Sequence, residues 1–210
     1  MKTKTIYLMR HGETDMNRSE CLQGQIDCEL NETGIAEAKR AAEILAAAGI
    51  HFTRVYTSPL KRAVRTAQEA AGSAEVTVEP LITEMHFGSY EGTRYTDIDP
   101  AMWAFIKDPE NNPPPPGVES IASLTDRTGR FLRRVISDDT EGSILAVSHG
   151  IALRSMLWNL YPENERSRVW SMPIENCIIY AVSVTDGKVT DVRRAGELSQ
   201  KNDTDTSGAF

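Results

Sequence analysis

The sequence lacks long hydrophobic runs. None of its segments approaches the roughly 18 consecutive apolar residues that a membrane-spanning helix requires. Lys2 and Lys4 are typical of the start of a signal peptide, but the apolar run that follows them ends at Arg10. We therefore predict neither a signal peptide nor a membrane partner.

The sequence also lacks an excess of positive charge. Its 23 Lys and Arg residues are outnumbered by 30 Asp and Glu residues, which gives a net charge of −7 at pH 7. Nucleic acids and anionic membranes bind basic surfaces, so this balance argues against both kinds of partner. An anionic ligand would have to be attracted by a few cations placed at its binding site.

Cysteine is scarce, with three residues at Cys21, Cys28 and Cys177 and no CxxC pair. An odd number without paired spacing does not indicate a disulfide framework, so we expect free thiols and a cytoplasmic protein. A metal site that uses Cys21 and Cys28 is an open alternative that their spacing does not favour, and we predict no metal.

Short apolar segments alternate with helical ones along the chain. Strands are predicted at 6–9, 54–57, 76–78 and 143–147, and helices at 32–48, 58–71, about 121–138 and 151–160. Residues 178–184 and 188–192, joined through Asp186 and Gly187, are typical of a β-hairpin. This order predicts a three-layer α/β sandwich, in which helices cover both faces of a mostly parallel sheet with an antiparallel edge strand.

No linker divides the sequence. We predict a single domain over residues 1–198 and a disordered polar tail over 199–210. The stretch 15–30 is predicted to be a loop, and 82–120 is irregular and contains a run of four prolines. The aromatic and methionine residues between Met85 and Phe105 fit a core or a cap over a pocket equally well. The hairpin offers an edge strand for a homodimer, which is an open alternative.

Two predicted strands end in the same way, in Arg10-His11-Gly12 and in Ser148-His149-Gly150. The carboxyl ends of parallel strands lie at one edge of a sheet, so the two imidazoles can face each other across a cleft. Arg62 lies in the first turn of the helix that Ser58 and Pro59 are predicted to open, where free N–H groups already favour an anion. Two arginines beside a histidine are suited to binding phosphate.

These segments resemble the histidine phosphatase superfamily, the phosphoglycerate mutase-like group. The resemblance rests on five motifs in order: Leu8 to Thr14, Ser58 to Ala63 with Thr66-Ala67, Glu84 to Gly88, Glu91-Gly92, and Ser148 to Gly150. It implies a phosphatase that hydrolyses a small phosphorylated metabolite without a metal or other cofactor.

The resemblance also implies a role for each matching residue. His11 matches the nucleophile that becomes phosphohistidine, and Glu84 matches the proton donor. The remaining matches bind the phosphate, and they are Arg10, Arg62, His149, Asn17, Gln23, Gly24 and Gly150. The chemistry agrees, because an imidazole that attacks phosphorus divides one hard hydrolysis into two easier transfers.

A phosphoglycerate mutase and an inactive regulatory module are the alternatives. The mutases of this family carry a longer, more basic insertion between the acid and the second histidine, and Tyr95 stands about where they place a lysine. Because fewer cations would hold a second anionic group here, hydrolysis is favoured. The substrate stays open among sugar phosphates, nucleotide-derived phosphates such as α-ribazole phosphate, phosphoserine and glycolytic intermediates.

Overall fold

The protein is described by a computed structural model over residues 1–195. Its strands are β1 (Thr3–Arg10), β2 (Phe52–Thr57), β3 (Val76–Val78), β4 (Gly142–Ser148), β5 (Ile179–Thr185) and β6 (Lys188–Arg194). They form one sheet in the order β3-β2-β4-β1-β5-β6. The predicted tail, and the last residues of the predicted domain, lie outside the described residues.

The pairing of β1 organises the sheet. This strand runs parallel to β4 on one side and antiparallel to β5 on the other, while β2 is parallel to both β4 and β3. The hairpin β5–β6 adds the antiparallel edge. The prediction of a mostly parallel sheet with an antiparallel edge is confirmed, and the antiparallel part consists of two strands.

Helices cover both faces of the sheet. They are α1 (Asp15–Arg18), α2 (Glu32–Ala47), α3 (Lys61–Ala70), α4 (Pro100–Lys107), α5 (Ile121–Ser137) and α6 (Gly150–Leu160). Alternate residues of β1 pack on the two faces of the sheet, because successive side chains of a strand point to opposite sides. Ile6 and Leu8 pack with α5 and α6, whereas Tyr7 and Met9 pack with α2 and α3. In the described part of the chain, every helix is too short or too polar to cross a membrane.

Two helices lie where the sequence predicts irregular chain. Helix α1 begins within the predicted loop, where the side chain of Thr14 accepts a hydrogen bond from the backbone of Asn17 and the two residues form a capping box. Helix α4 begins with Asp99 as N-cap and Pro100 at its first position. Both start signals are present in the sequence, but neither helix has a long apolar period.

The start of α3 also differs from the prediction. The helix begins at Lys61 after Leu60, so Ser58 and Pro59 precede it instead of opening it. The hydroxyl of Ser58 accepts a hydrogen bond from the amide of Leu60 and contacts His149. The serine is thus drawn toward the sheet edge and away from the cap position.

Two glycines hold the loop after β1 close to α2. A Cβ added to Gly12 would lie 2.4 Å from the carbonyl oxygen of Gly34, and one added to Gly34 would lie 2.1 Å from that of Glu13. Neither backbone can retreat cheaply, since Asn31 caps α2 through the amide of Gly34 and its own amide donates to the carbonyl of Glu13. This contact fixes the residues that follow the strand.

Candidate active site

The ends of β1 and β4 lie side by side, because Arg10 is in register with Ser148. The amide of His11 donates to the carbonyl of Ser148 over 2.9 Å, which continues the ladder beyond the strand. The rings of His11 and His149 are 5.1 Å apart between centroids and tilted by 57°. The two predicted imidazoles therefore contact each other directly at the sheet edge, where a cleft between them was expected.

The hydrogen bonds of His11 fix its tautomer. Its Nδ1 lies 2.7 Å from the carbonyl oxygen of Gly12, an atom that can only accept, so Nδ1 carries the proton. The other nitrogen, Nε2, then has a lone pair, and it accepts a hydrogen bond from Nε of Arg62 over 3.3 Å. The ring is 2% exposed, so the lone pair is held in a nearly buried position.

His149 is fully buried and offers one nitrogen without a protein partner. Its Nε2 lies 2.7 Å from the hydroxyl of Ser58, which also accepts a hydrogen bond from the amide of Leu60. Nδ1 of His149 is a buried group without a hydrogen-bond partner. In the tautomer with the proton on Nδ1, a ligand oxygen would satisfy it.

Arg62 is fully buried, and the two terminal nitrogens of its guanidinium anchor it to the backbone. Its Nη1 and Nη2 donate to the carbonyls of Ile26 and Gly24, each over 2.7 Å. Helix α3 supplies the residue in its first turn, as the sequence predicts. The anchoring orients the guanidinium toward His11, and the side chain forms no ion pair within residues 1–195.

Arg10 approaches His11 along β1. Its Nη1 donates to the carbonyl of Ile174, whereas its Nε is buried without a partner. Like Arg62, it pairs with no carboxylate among the described residues. A fully buried and a half-buried guanidinium group, neither in a direct ion pair over residues 1–195, make a site that is poised for an anion.

The electrostatics of this edge keep both imidazoles neutral. Burial, together with the charges of Arg10 and Arg62, holds the pKa of His11 well below its usual value of 6.5. Burial and the charge of Arg62 act in the same direction on the pKa of His149. His11 is therefore an unprotonated base at neutral pH, as a nucleophile must be.

Glu84 is buried at the first turn of α6. One carboxylate oxygen accepts hydrogen bonds from the amides of Met85 and Ala152, and the other accepts from Ile151. A Cβ added to Gly150 would lie 3.8 Å from Nε of Arg10 and 3.9 Å from Oε2 of Glu84. The glycine thus keeps open the space between the acid and the arginine.

The loop after β1 supplies the other predicted residues, Asn17, Gln23 and Gly24, and all three line the same cleft. The side-chain oxygen of Asn17 accepts from the backbone amide of Thr14, and that of Gln23 accepts from the hydroxyl of Thr14. Their amide nitrogens therefore remain as the groups that can donate toward the cleft. Gly24 has a φ of +52°, which favours glycine, and a Cβ there would lie 2.3 Å from the carboxylate of Glu91 and displace that side chain.

The site thus contains two imidazoles, two arginines and a glutamate. A comparison of the sequence with models of protein families agrees with this arrangement. A model of the histidine phosphatase superfamily (branch 1) matches residues 6–195. The chain belongs to the histidine phosphatase superfamily.

Within this superfamily, relatives of two kinds are similar to the chain. Phosphoglycerate mutase-like protein 4 of Arabidopsis thaliana is 32% identical over 95% of this chain and 87% of its own length. A 2,3-bisphosphoglycerate-dependent phosphoglycerate mutase of Bacteroides fragilis is 30% identical over 75% of this chain and 77% of the mutase. A phosphoserine phosphatase variant of Entamoeba histolytica, solved with phosphoserine, has a TM-score of 0.77 at 28% identity, covering 90% of this chain and 96% of the other.

The cleft of this histidine phosphatase has a volume of about 260 Å³. Besides the predicted residues, its lining includes Phe87, Tyr95, Trp103, Ile106 and Arg154. The segment 85–106 contributes to both the core and the cleft. Met85, Met102 and Phe105 are core, Tyr95 and Trp103 line the cleft, and Phe87 belongs to both.

Arg154 is the cleft residue that sequence reasoning missed. It follows Gly150 and Ile151 on α6 at positions i, i+1 and i+4, which place all three on one face of a helix. The sequence contains a signal for this residue, since Gly150 follows a predicted site histidine and Arg154 lies four residues further along the predicted helix.

Arg127 of α5 is a second missed residue, and it holds the segment that carries Glu84. Its guanidinium donates to the carbonyls of Leu81, Thr83 and Glu84 and to both oxygens of Glu119. Both side chains of this ion pair are about nine-tenths buried. No local motif marks such a contact, because its partners are backbone atoms more than forty residues away.

Proposed function

We propose that this histidine phosphatase is a metal-independent phosphatase that hydrolyses a small-molecule phosphate monoester through a phosphohistidine on His11. One observation carries the proposal. A neutral imidazole presents the lone pair of Nε2 beside the fully buried guanidinium of Arg62 and the half-buried one of Arg10, which form no ion pair in the described chain. A phosphate dianion would supply the missing charge and place phosphorus next to the lone pair.

In the first step, Nε2 of His11 attacks phosphorus in line. The N–P bond forms as the bond between phosphorus and the alcohol oxygen breaks, and protonated Glu84 gives its proton to the departing oxygen. The alcohol leaves neutral, and the carboxylate stays behind on the hydrogen bonds from α6.

In the second step, water attacks the phosphohistidine. Glu84 takes a proton from the water, the N–P bond breaks, and inorganic phosphate and neutral His11 are regenerated. The acid is protonated again at the end, so atoms and charges balance over the cycle. One carboxyl group can act in both steps, because the departing alcohol oxygen and the attacking water occupy the same face of the phosphorus.

Charge on the phosphoryl group is met by preorganised donors. These are Nε of Arg10, the guanidinium of Arg62, Nδ1–H of His149 and the amide nitrogens of Asn17 and Gln23. Fixed donors of this kind, in a site that contains little water, provide much of the rate enhancement in phosphoryl transfer. Gly24 and Gly150 contribute by the space that they leave. Because these groups meet the charge, the proposal assigns no metal or other cofactor.

A phosphoglycerate mutase is the second candidate, since the relatives named above include proteins of that name. A mutase must retain the dephosphorylated substrate long enough to return the phosphoryl group to its other hydroxyl. The leaving-group end of the cleft contains one arginine, Arg154, and Tyr95, which stands about where the resemblance to the mutases implies a lysine. Weaker retention favours attack by water.

The remaining biological assignments are proposals that follow from composition. The partner is a small phosphorylated metabolite, with neither nucleic acid nor membrane, and the location is cytoplasmic. The three cysteines are free thiols in the described structure. The edge strand β6 is the element through which a homodimer would form.

The proposal is tested with p-nitrophenyl phosphate in the presence of a chelator. We expect the wild type to release nitrophenol and His11→Ala to lose activity on the order of 10⁴-fold, because the nucleophile is gone. His51→Ala, which alters an exposed histidine, is the matched control and should keep full activity. Equal rates for wild type and His11→Ala would rule out His11 as the nucleophile. No hydrolysis by the wild type would favour the inactive module.

The mutase is tested with 3-phosphoglycerate. The phosphatase proposal expects release of inorganic phosphate to exceed formation of 2-phosphoglycerate. The opposite ratio would make the mutase the better assignment.

A further inference from the structure

The peptide group between His11 and Gly12 is held at both of its polar atoms. The amide of Gly12 donates to the hydroxyl of Thr66 on α3 over 3.0 Å. The carbonyl oxygen of His11 accepts from the side-chain Nδ2 of Asn176 over 3.0 Å and from the amide of Cys177 over 3.3 Å. Two segments that are far apart in the chain thus meet at the peptide group that follows the proposed nucleophile.

Asn176 belongs to a turn that precedes β5. The amide of Ile178 donates to the carbonyl of Glu175, and Cys177 within the turn has a φ of +53°, a left-handed backbone that favours glycine. The turn is also tied to β1, since the amide of Arg10 donates to the carbonyl of Ile178 over 3.1 Å. Such backbone conformations persist where surrounding contacts hold them, and they are frequent at functional sites.

The backbone of His11 and Gly12 sets the direction of the imidazole. Nδ1 of His11 donates to the carbonyl of Gly12, so the orientation of the ring depends on where these two residues are held. Attack requires Nε2 to lie close to phosphorus and in line with the bond that breaks, and a displacement of about 1 Å can cost on the order of 10²-fold in rate. A donor that fixes this backbone can therefore act on the reaction without touching the substrate.

The binding of phosphate depends little on Asn176. The residue does not line the cleft within the described part of the chain, and its one further contact there is long. Its Nδ2 lies 3.5 Å from Oδ1 of Asn17, an oxygen that also accepts from the amide of Thr14 over 3.2 Å. Asn17 therefore keeps a donor that orients its amide when Asn176 is replaced.

We propose that Asn176 is a positioning residue for the nucleophile. Its carboxamide fixes the peptide group between His11 and Gly12, opposite to Thr66, and thereby the direction of Nε2 of His11. The proposal rests on the phosphatase function above and adds a residue through which His11 is held for attack.

Asn176→Leu tests the proposal, because it keeps the branched shape of the side chain and removes the donor. We expect kcat/KM for p-nitrophenyl phosphate to fall by about 10- to 100-fold, since the nucleophile is no longer held in place. The inhibition constant of inorganic phosphate should stay close to the wild-type value, because the phosphate donors remain. The amide of Cys177 still donates to the carbonyl of His11, which favours folding of the variant.

Two further variants separate the carboxamide from general effects of substitution. Asn176→Gln keeps the donor, and the half-buried position admits one more methylene, so part of the lost kcat/KM should return. Asn111→Leu, which alters an exposed asparagine, is the matched control and should keep the wild-type constants. All rates are compared at a temperature where the variants are folded. Asn176→Ala, which removes the same donor with less bulk, takes the place of Asn176→Leu if that variant does not fold.

The possible results distinguish the two proposals. Wild-type kcat/KM in Asn176→Leu would overturn the positioning role and leave the phosphatase intact. So would a loss of phosphate affinity as large as the loss of kcat/KM, because Asn176 would then support the whole site, or the absence of any recovery in folded Asn176→Gln. A wild type that does not hydrolyse p-nitrophenyl phosphate would overturn the proposed function itself.

Discussion

The cleft has two ends that differ in chemistry and in origin. The phosphate end consists of Arg10, His11 and Arg62, with His149 packed against His11, and the leaving-group end consists of Phe87, Tyr95, Trp103, Ile106 and Arg154. At the phosphate end Arg62 and His149 are fully buried and Arg10 is half-buried, whereas at the other end Phe87 is 2% and Tyr95 36% exposed. Cationic and imidazole groups thus gather at the first end, and mostly apolar and aromatic side chains at the second.

The difference follows from which elements carry each end. Side chains of the phosphate end lie at the ends of β1 and β4 and in the first turn of α3, and their partners are backbone carbonyls. Most of the leaving-group end comes from residues 87–106, which contain short 3₁₀ turns and α4. The first end can hold an atom to a fraction of an ångström, and the second can change its side chains without disturbing the sheet.

The largest effect is expected for Arg62→Ala. The substitution removes a charge from the phosphoryl group and leaves the carbonyls of Gly24 and Ile26 without their donor. We expect kcat/KM to fall by about 10³- to 10⁵-fold for every ester. Arg65→Ala on the exposed face of the same helix should be neutral. A loss confined to some esters, with others hydrolysed at the wild-type rate, would erase the distinction between the two ends.

Glu84→Gln is expected to have the next largest effect, and the effect should depend on the leaving group. Alkyl phosphates should lose about 10²- to 10⁴-fold in kcat, because their alkoxide needs a proton. Nitrophenolate leaves without one, so p-nitrophenyl phosphate should give a burst of nitrophenol followed by slow turnover. Stopped-flow absorbance measures the burst. An equal loss for both kinds of ester, without a burst, would contradict the assignment of the acid.

Arg127→Met tests whether the segment that carries Glu84, between the two ends of the cleft, must be fixed in place by Arg127 for catalysis. We expect kcat to fall by about 10- to 100-fold with little change in KM, because Glu84 is displaced while the phosphate donors stay in place. The free energy of unfolding should also fall by about 3 kcal/mol, since Glu119 loses its buried partner.

Arg127→Lys should recover part of kcat, and Arg130→Met on the exposed face of α5 should change neither quantity. A loss of stability without any change in kcat at a temperature where the variant is folded would make Arg127 purely structural.

The smallest effect is a pH dependence of stability that arises at the phosphate end. The pKa values of His11 and His149 lie below 6.5 in the folded protein, so the unfolded chain binds protons first as the pH falls. Stability that is present above pH 6.5 is therefore lost below it, by up to about 1.4 kcal/mol per histidine per pH unit. Urea unfolding at pH 7.5, 6.5 and 5.5 measures the slope.

His149→Gln should make this slope shallower, whereas the same change at the exposed His86 should leave it unchanged. Identical slopes in the wild type and both variants would show that neither imidazole is held neutral by its burial.

The sequence predicts the sheet because its strands are apolar and end in recognisable residues. Ile6 to Met9 and Ile144 to Val147 are continuous apolar runs, as expected of strands covered on both faces, and the Arg and His that follow them mark the edge. The positions of His11, Arg62 and His149 relative to each other follow from that topology. Helices α1 and α4 are not predicted because, with four and eight residues, they are too short for a sustained apolar period.

The supporting contacts could not be predicted in the same way. The bond between Ser58 and His149 joins residues far apart in the chain, and so do the bonds from Arg127 to the segment of Glu84. Such contacts depend on how helices pack against the sheet, and no local pattern encodes them. Arg154 is an intermediate case. Its helical spacing from Gly150 is visible in the sequence, but only the folded structure shows that it lines the cleft.

The central claim is that His11 carries the phosphoryl group. Glu84→Gln should accumulate this intermediate with p-nitrophenyl phosphate, because the first step proceeds without the acid and the second lacks its base. The reaction is quenched in alkali, where phosphohistidine is stable, and the protein is digested and mapped by mass spectrometry. We predict one phosphate on His11 that is lost in acid. A phosphate on another residue, or a burst of nitrophenol with no phosphorylated protein, would contradict the mechanism.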